Sequence, residues 1–337
     1  MARFTLITLS LVALLALGVV FGGALAWAAL AYITLVAFFL DRLGALAAPD
    51  APEGAEFPAG LALSVTLGVL HFPLLFGGAL ALAAGGRGLA EAAALFFGLA
   101  LFLGQVSMAN AHELIHRPGR GPRALGVAVY VSLLFGHHAS AHRLVHHVHA
   151  ATKRDPNSAR LGEGFWRFAL RAWRGSFRAG YRAEAKRAAR AGRPSWRTPY
   201  ALYLGGGLVA FLSVLAAGGW RAALIYGALC LYAQLQLLLS DYVQHYGLRR
   251  RPGKAGRPEP MGARHSWNAP QGFSGALMLN APRHSDHHAH PGRAYPGLRL
   301  DRAEMPILPQ SLPVMAVIAL VPPVWRRMMD RRARAWR

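Results

Sequence analysis

The sequence predicts an all-α integral membrane protein, with six transmembrane helices and a histidine-rich cytoplasmic helical cap. Three observations carry that expectation. The chain has 337 residues, 54% hydrophobic and only 15% charged, against about 25% charged in an ordinary soluble domain. Residues 4–40 contain no Asp, Glu, Lys or Arg, a run far beyond the roughly 20 residues that cross a bilayer. Further apolar stretches then recur between strongly basic loops.

The charge-free run reads as two spans, 4–21 and 23–40, folded into a tight hairpin at Gly22-Gly23. It is too long for the apolar core of a signal peptide. The remaining spans fall at 59–84, 92–111, 199–219 and 222–240. Lys and Arg crowd 117–197, 249–257 and 326–337, whereas the connections near Gly22, Arg87 and Trp220 carry few charges. Basic loops mark the cytoplasmic side, so both termini and both long loops face the cytoplasm. Residues 124–140 are short for a span and lie between two histidine clusters; they read as a re-entrant or interfacial helix. The proline-containing segment 307–325 reads as membrane-surface or packed structure. With no repeat and no low-complexity linker, residues 1–337 form one domain, with histidine regions at 112–198 and 241–337.

The formal charge of +22 comes mostly from Arg. No nucleic-acid-binding module accompanies it, and the basic residues sit between apolar segments. The charge therefore fits a cytoplasmic membrane face that meets lipid or steers an acidic protein, not nucleic acid. The single cysteine, Cys230, excludes an internal disulfide and a metal centre held by four cysteines. If the protein needs electrons, another polypeptide brings them. Cys230 itself reads as a small core residue.

Most of the 15 histidines are clustered. In His112-Glu113-Leu114-Ile115-His116, positions i and i+4 share one helix face, so His112 and His116 can bind one metal. The second cluster, His142-Arg143-Leu144-Val145-His146-His147, lines up His142 with His146 and sets His147 on an adjacent face. The third is His284-Ser285-Asp286-His287-His288, and His245 stands at the end of the last span. Neutral imidazole suits iron, copper, zinc and nickel. Nine such donors are too many for one ion, which indicates a two-metal site.

These motifs resemble the membrane alkane 1-monooxygenase family (alkane hydroxylases and xylene monooxygenase-like proteins) of the histidine-box fatty-acid desaturase superfamily. His112 to Arg117 is similar to the family's first box, His142 to His147 to its HxxxHH box, Gln244-His245-Tyr246-Gly247-Leu248 to its HYG element, and Arg283 to Ala289 to its third box. His265-Ser266-Trp267-Asn268 also fits, and the likeness covers roughly residues 90 to 300. The resemblance implies nine ligands (His112, His116, His142, His146, His147, His245, His284, His287 and His288), two non-haem iron ions and O2 as oxidant. It implies hydroxylation of a terminal or methyl C–H bond in an apolar substrate drawn from the bilayer. It further implies a rubredoxin, or a ferredoxin with its reductase, as electron donor, and a bacterial inner-membrane protein with its site facing the cytoplasm. The sequence departs from the pattern at Ala141, where alkane hydroxylases usually carry Glu, and at His137, His138 and His149.

An alkyl C–H bond has no acidity and no leaving group, so metal chemistry must carry the reaction. Glu113, Asp155 and Asp286 are candidates to orient imidazoles through their second ring nitrogen, with Glu113 and Asp286 taken as catalytic candidates. Asp155 also fits a turn in Asp155-Pro156-Asn157. His137, His138, His149, His265 and His290 fit supporting or surface positions, and His71 a packed histidine or one lining a cavity. Three rivals remain. A membrane zinc protease would use the HExxH at 112–116 but leaves the other boxes without a task. A metal transporter calls for ionisable groups inside the spans, where this chain has almost none. A desaturase or lipid hydroxylase shares the boxes.

Overall fold

The computed structural model describes residues 1–44, 50–52, 55–253 and 257–337; part of the basic stretch 249–257 lies outside them. Among the described residues the regular structure is helical, with isolated bridges at Pro252–Pro258 and Asn268–Ile307. Five helices are long and apolar enough to cross a membrane: α1 (Ala2–Phe21), α2 (Ala24–Arg42), α3 (Pro58–Ala84), α4 (Leu89–His116) and α8 (Tyr200–His245). This is a multi-pass membrane protein.

The α1–α2 hairpin turns where the sequence places it. Gly22 and Gly23 both take positive φ, 64° and 58°, a region that costs a residue with a Cβ. The Gly23 N–H donates to Glu91 Oε1 at 2.9 Å, and Arg87 donates to the Val19 and Ala81 carbonyls, each at 2.7 Å. The α1–α2 and α3–α4 turns are thereby tied together at one end of the bundle.

In α3, Pro73 lacks the N–H and crowds the preceding turn; a π-turn over Pro73–Gly77 absorbs it. Other π-turns widen α2 at Tyr32–Val36 and α4 at Phe102–Ser107. Helix α8 runs 46 residues but breaks at Gly219, where φ is 67° and ψ −171°. An unbroken helix of that length would be about 69 Å long, over twice the roughly 30 Å hydrocarbon core. Gly218 packs on Leu80 of α3, so the break lies beside the α3–α4 turn. Both α4 and the second half of α8 start at this end and finish at the far one. Their last residues, His116 and His245, therefore arrive together.

The cap is built on that far end. Helix α5 (Arg120–Ser132) has 13 residues, about 20 Å of helix, too short to cross. It is followed by α6 at 138–149, the basic helix α7 (Phe165–Arg190), and the short helices α9 (Gly272–Leu277) and α10 (His284–Ala289). The segment expected to be packed or interfacial contains α11 (Leu312–Ala319) and the start of α12 (Pro322–Ala335). Met315 and Trp325 are fully buried there, so it is packed structure. His71 is also a packed residue: its two ring nitrogens meet Ser107 Oγ at 2.5 Å and Ser132 Oγ at 2.8 Å. Cys230 is buried in α8.

Candidate metal centre

The end of α4 carries His112 and His116 on one face, one helical turn apart. The second cluster behaves differently from the spacing argument. Residues His142–His146 form a π-turn, in which i and i+5 come into register. His142 therefore shares a site with His147, and His146 is directed elsewhere. In α10 ordinary helical spacing holds: His284 and His288 face one way and His287 another.

The result is two nests of imidazole. His112, His116, His142, His147 and His287 form one; His146, His245, His284 and His288 form the other, with the ligand-type atoms of each nest within 4.8 Å of one another. Every histidine that the boxes single out is in one of the two. His142 Nε2 lies 2.8 Å from His112 Nε2, 3.1 Å from His116 Nε2 and 2.9 Å from His147 Nε2. In the second nest, His284 Nε2 lies 3.0 Å from His245 Nε2 and 3.1 Å from His288 Nε2.

A neutral imidazole nitrogen offers one proton or one lone pair. His142 Nε2 faces three nitrogens and can satisfy one of them by hydrogen bonding. Around an ion with metal–nitrogen bonds of about 2.1 Å, donors at right angles stand about 3 Å apart. The observed spacings match that arrangement. Protonation also favours a metal. Burial, then neighbouring imidazoles, holds His147, His287 and His288 well below the ordinary histidine value, and His284 is pushed down to about 3. Neutral rings keep the lone pairs that a metal needs.

His146 gives the sharpest sign of fit. Its Nδ1 lies 2.9 Å from Asp155 Oδ2, while its buried Nε2 has no hydrogen-bond partner. Burial alone would push this imidazole down, yet the Asp155 carboxylate outweighs burial and raises it. Asp155 is itself buried. Burial pushes its carboxyl up, but His146, Ser158 Oγ at 2.6 Å and the Asn157 N–H at 3.0 Å together hold it below the usual carboxylate range. It is thus at once the turn residue and the partner of an imidazole in the second nest. In the neutral ring, with Nδ1–H given to Asp155, Nε2 presents a bare lone pair into the second nest, and a metal there would compete with the proton for it.

Glu113 and Asp286 face other partners. Glu113 pairs with Arg117 at 3.1 Å and accepts the Tyr295 N–H at 3.4 Å. Asp286 takes Arg293 Nη1 at 2.6 Å, His290 Nδ1 at 2.9 Å and the Arg299 N–H at 2.9 Å. Both tie box helices to the 293–299 segment. The His-Ser-Trp-Asn element is a clamp. The Trp267 N–H donates to the Gln244 carbonyl at 2.7 Å and Trp267 Nε1 to the Tyr246 carbonyl at 2.9 Å. Asn268 donates to Ser285 Oγ at 2.8 Å and accepts the Ser285 N–H at 2.9 Å. The HYG element is thereby held to the third box. His265 pairs with Glu259 at 2.9 Å, and His137 packs on Trp173 and Phe177.

An apolar cavity of about 80 Å³ reaches His112, His142 and His284, between Met108, Leu237, Met278 and Ala316. A second, of about 240 Å³, lies outside it between α2, α4, α8 and α11. Gln105, Gln236, Pro313 and Ala316 border both, and Gln105 Nε2 donates to Gln236 Oε1 at 3.4 Å. Buried His138 and Asp241 also line the inner cavity. Sequence reasoning left His138 undecided and passed over Gln105, Gln236 and Asp241. The available signal was that a polar residue inside an apolar helix marks a functional position by default.

The fatty acid desaturase family profile matches residues 89–319, which include every box. The chain belongs to that family. Among individual relatives, alkane 1-monooxygenase 1 of Pseudomonas aeruginosa is 34% identical over 236 residues, covering 69% of this chain and 62% of the relative. Alkane 1-monooxygenase 1 of Alcanivorax borkumensis is 33% identical over 250 residues, 72% of this chain and 61% of the relative. The xylene/toluene monooxygenase hydroxylase component of Pseudomonas putida is 27% identical over 251 residues, 73% of this chain and 66% of the relative. The chain spans about three-fifths of the length of the first two relatives. Ala141, the departure in front of the second box, packs closely on α7: a Cβ on Gly180 would stand 3.1 Å from the Ala141 Cβ.

Proposed function

We propose that this protein is a membrane non-haem di-iron monooxygenase that hydroxylates a terminal or methyl C–H bond of an alkane or alkyl aromatic. The reading assigns one iron to His112, His116, His142, His147 and His287, and the other to His146, His245, His284 and His288. The observation that carries it is the pair of imidazole nests with an apolar cavity touching both. When bound, the two irons would supply redox chemistry that no side chain has, passing electrons to O2 so that it can oxidise the C–H bond.

The chain's own residues do the rest. Asp155 holds the His146 tautomer. Glu113 and Asp286, proposed as positioning residues, set the first and third boxes against the 293–299 segment. Met108, Leu237 and Met278 exclude water and hold an apolar chain by shape. The two cavities form the entry path from the bilayer, with the Gln105–Gln236 pair at its narrow point. In the membrane we place six spans in one domain, the break at Gly219 separating the fifth from the sixth. Basic segments set the cap and both nests on the cytoplasmic side of a bacterial inner membrane. There an acidic rubredoxin, or a ferredoxin with its reductase, would deliver electrons to the arginine-rich face.

The test is turnover of purified, iron-quantified protein with O2, a rubredoxin or ferredoxin donor system, and a panel of octane, xylene and a fatty acyl ester. A terminal or benzylic alcohol supports the reading; an alkene moves it to the desaturase branch; protein without iron overturns it. His245→Ala and His287→Ala should each lower iron content and abolish turnover. Full iron retention in either variant removes that residue from the ligand set.

A further inference from the structure

A further cavity shares no lining residue with the two that lie beside the imidazole nests. It encloses about 960 Å³ on the flank formed by α3, α5, α6, α7 and the first half of α8, within the roughly 300–1,000 Å³ usual for ligand sites. Its composition is divided. Phe72, Val131, Leu202 and Val209 make an apolar wall, while Arg120, Arg123, Arg143, Arg187, Arg193 and Arg197 stand around it. The lining includes one carboxylate, Glu184, which accepts Ser140 Oγ at 2.7 Å and stands 3.6 Å from Arg187. Five arginines therefore remain without a carboxylate in the lining, and Arg123 Nε is buried with no hydrogen-bond partner.

We propose that this cavity binds an anionic phospholipid, with its phosphate among the arginines and one acyl chain against the apolar wall. Guanidinium forks match phosphate oxygens in pairs. The position suits a lipid taken from the membrane. Leu204, Leu208 and Leu212, beside the cavity on α8, are exposed as a lipid-facing surface would be. Trp196, exposed beside the lining residue Arg197, whose guanidinium lies over its ring at 4.9 Å, makes with it the aromatic-and-basic pairing found at headgroup level. An acidic protein could cover the arginine rim but would leave the apolar chamber between the helices unfilled. The proposal goes beyond the oxygenase reading and does not depend on it. Its structural consequence is specific. Arg143 and Leu144 line this cavity from the same turn that carries His142 and His146, so a bound lipid braces the second box from behind.

The experiment uses the full chain in nanodiscs containing both dioleoyl phosphatidylglycerol and dioleoyl phosphatidylcholine. Lipid retained after transfer to detergent is read by native mass spectrometry, and the unfolding temperature is measured on every variant as a check of folding. The wild type should retain phosphatidylglycerol in preference to phosphatidylcholine. The triple variant R187Q/R193Q/R197Q should lose about fivefold in that preference for each arginine removed. R174Q/R178Q/R182Q, which removes equal charge from α7 outside the cavity, should retain it. Val209→Trp, which fills the apolar wall, should release the lipid with all arginines present. Equal loss in both triple variants, or phosphatidylglycerol retained by Val209→Trp, overturns the proposal. Displacement of phosphatidylglycerol by free oleate at equal concentration would make the occupant a fatty acid and overturn the phospholipid assignment.

Discussion

Replacing Asp155 by Asn should empty one imidazole nest and spare the other. In the native protein Asp155 Oδ2 accepts His146 Nδ1 at 2.9 Å and Ser158 Oγ at 2.6 Å, and Oδ1 accepts the Asn157 N–H at 3.0 Å. Asparagine keeps the shape and can still accept from Asn157. Its amide N–H₂ then faces His146, which must present a lone pair at Nδ1 and carry its proton on Nε2, the atom aimed at the metal. The same exchange of Asp for Asn imposes the wrong tautomer in a catalytic triad. Partners of this kind are worth about 10–100-fold in metal affinity, or about 1.4–2.7 kcal/mol. Since His146 belongs only to the second nest, iron should fall from two per chain to one, measured by elemental analysis after dialysis against graded chelator. Two irons held with unchanged chelator resistance would refute the tautomer argument. Loss of both irons in parallel would refute the independence of the nests.

Ala316→Phe narrows the passage between the outer and inner cavities and should shorten the longest alkane oxidised while leaving iron content unchanged, measured by competition among alkanes with product analysis. Asn268→Ala removes buried hydrogen bonds to Ser285 and strands its N–H, costing roughly 2–4 kcal/mol; a fall in thermal stability with partial iron loss is expected, and unchanged iron would deny the clamp its role. Gly219→Ala places a Cβ in open space at φ 67°, ψ −171°, a region essentially confined to glycine, so the cost is backbone strain of about 1–3 kcal/mol; a lowered unfolding temperature with wild-type iron content is the expected result.

What the sequence displays and what it hides follow from the range of the physics involved. Spans are legible because lipid demands long apolar runs, and the Gly22-Gly23 hairpin because two adjacent glycines allow a reversal. All nine box histidines are legible as a set. Their division between the nests is not. Spacing pairs His142 with His146; the chain pairs His142 with His147, because a π-turn adds a residue to that turn. Nothing in residues 138–149 alone announces the extra residue, since the turn is shaped by what packs around it, including the close approach of Gly180 to Ala141. Asp155 was visible as two alternatives and proves to be both. Gln105, Gln236 and Asp241 stand out in the sequence only as polar residues in apolar helices; their shared cavity forms when α4 and α8 are brought side by side, across some 130 positions of sequence for the glutamine pair.

The way donors are drawn from the chain also sets an order of assembly. The nest around His142 takes four of its five imidazoles from residues 112–147, and the other takes only His146 from that region. As the polypeptide leaves the ribosome, the first nest lacks a single donor long before α8 exists, while the second still waits for His245, His284 and His288. Two nests proposed to work as a pair are thus unequal in their histories. One is nearly complete with the first half of the molecule, and the other cannot close until the last box has folded over it.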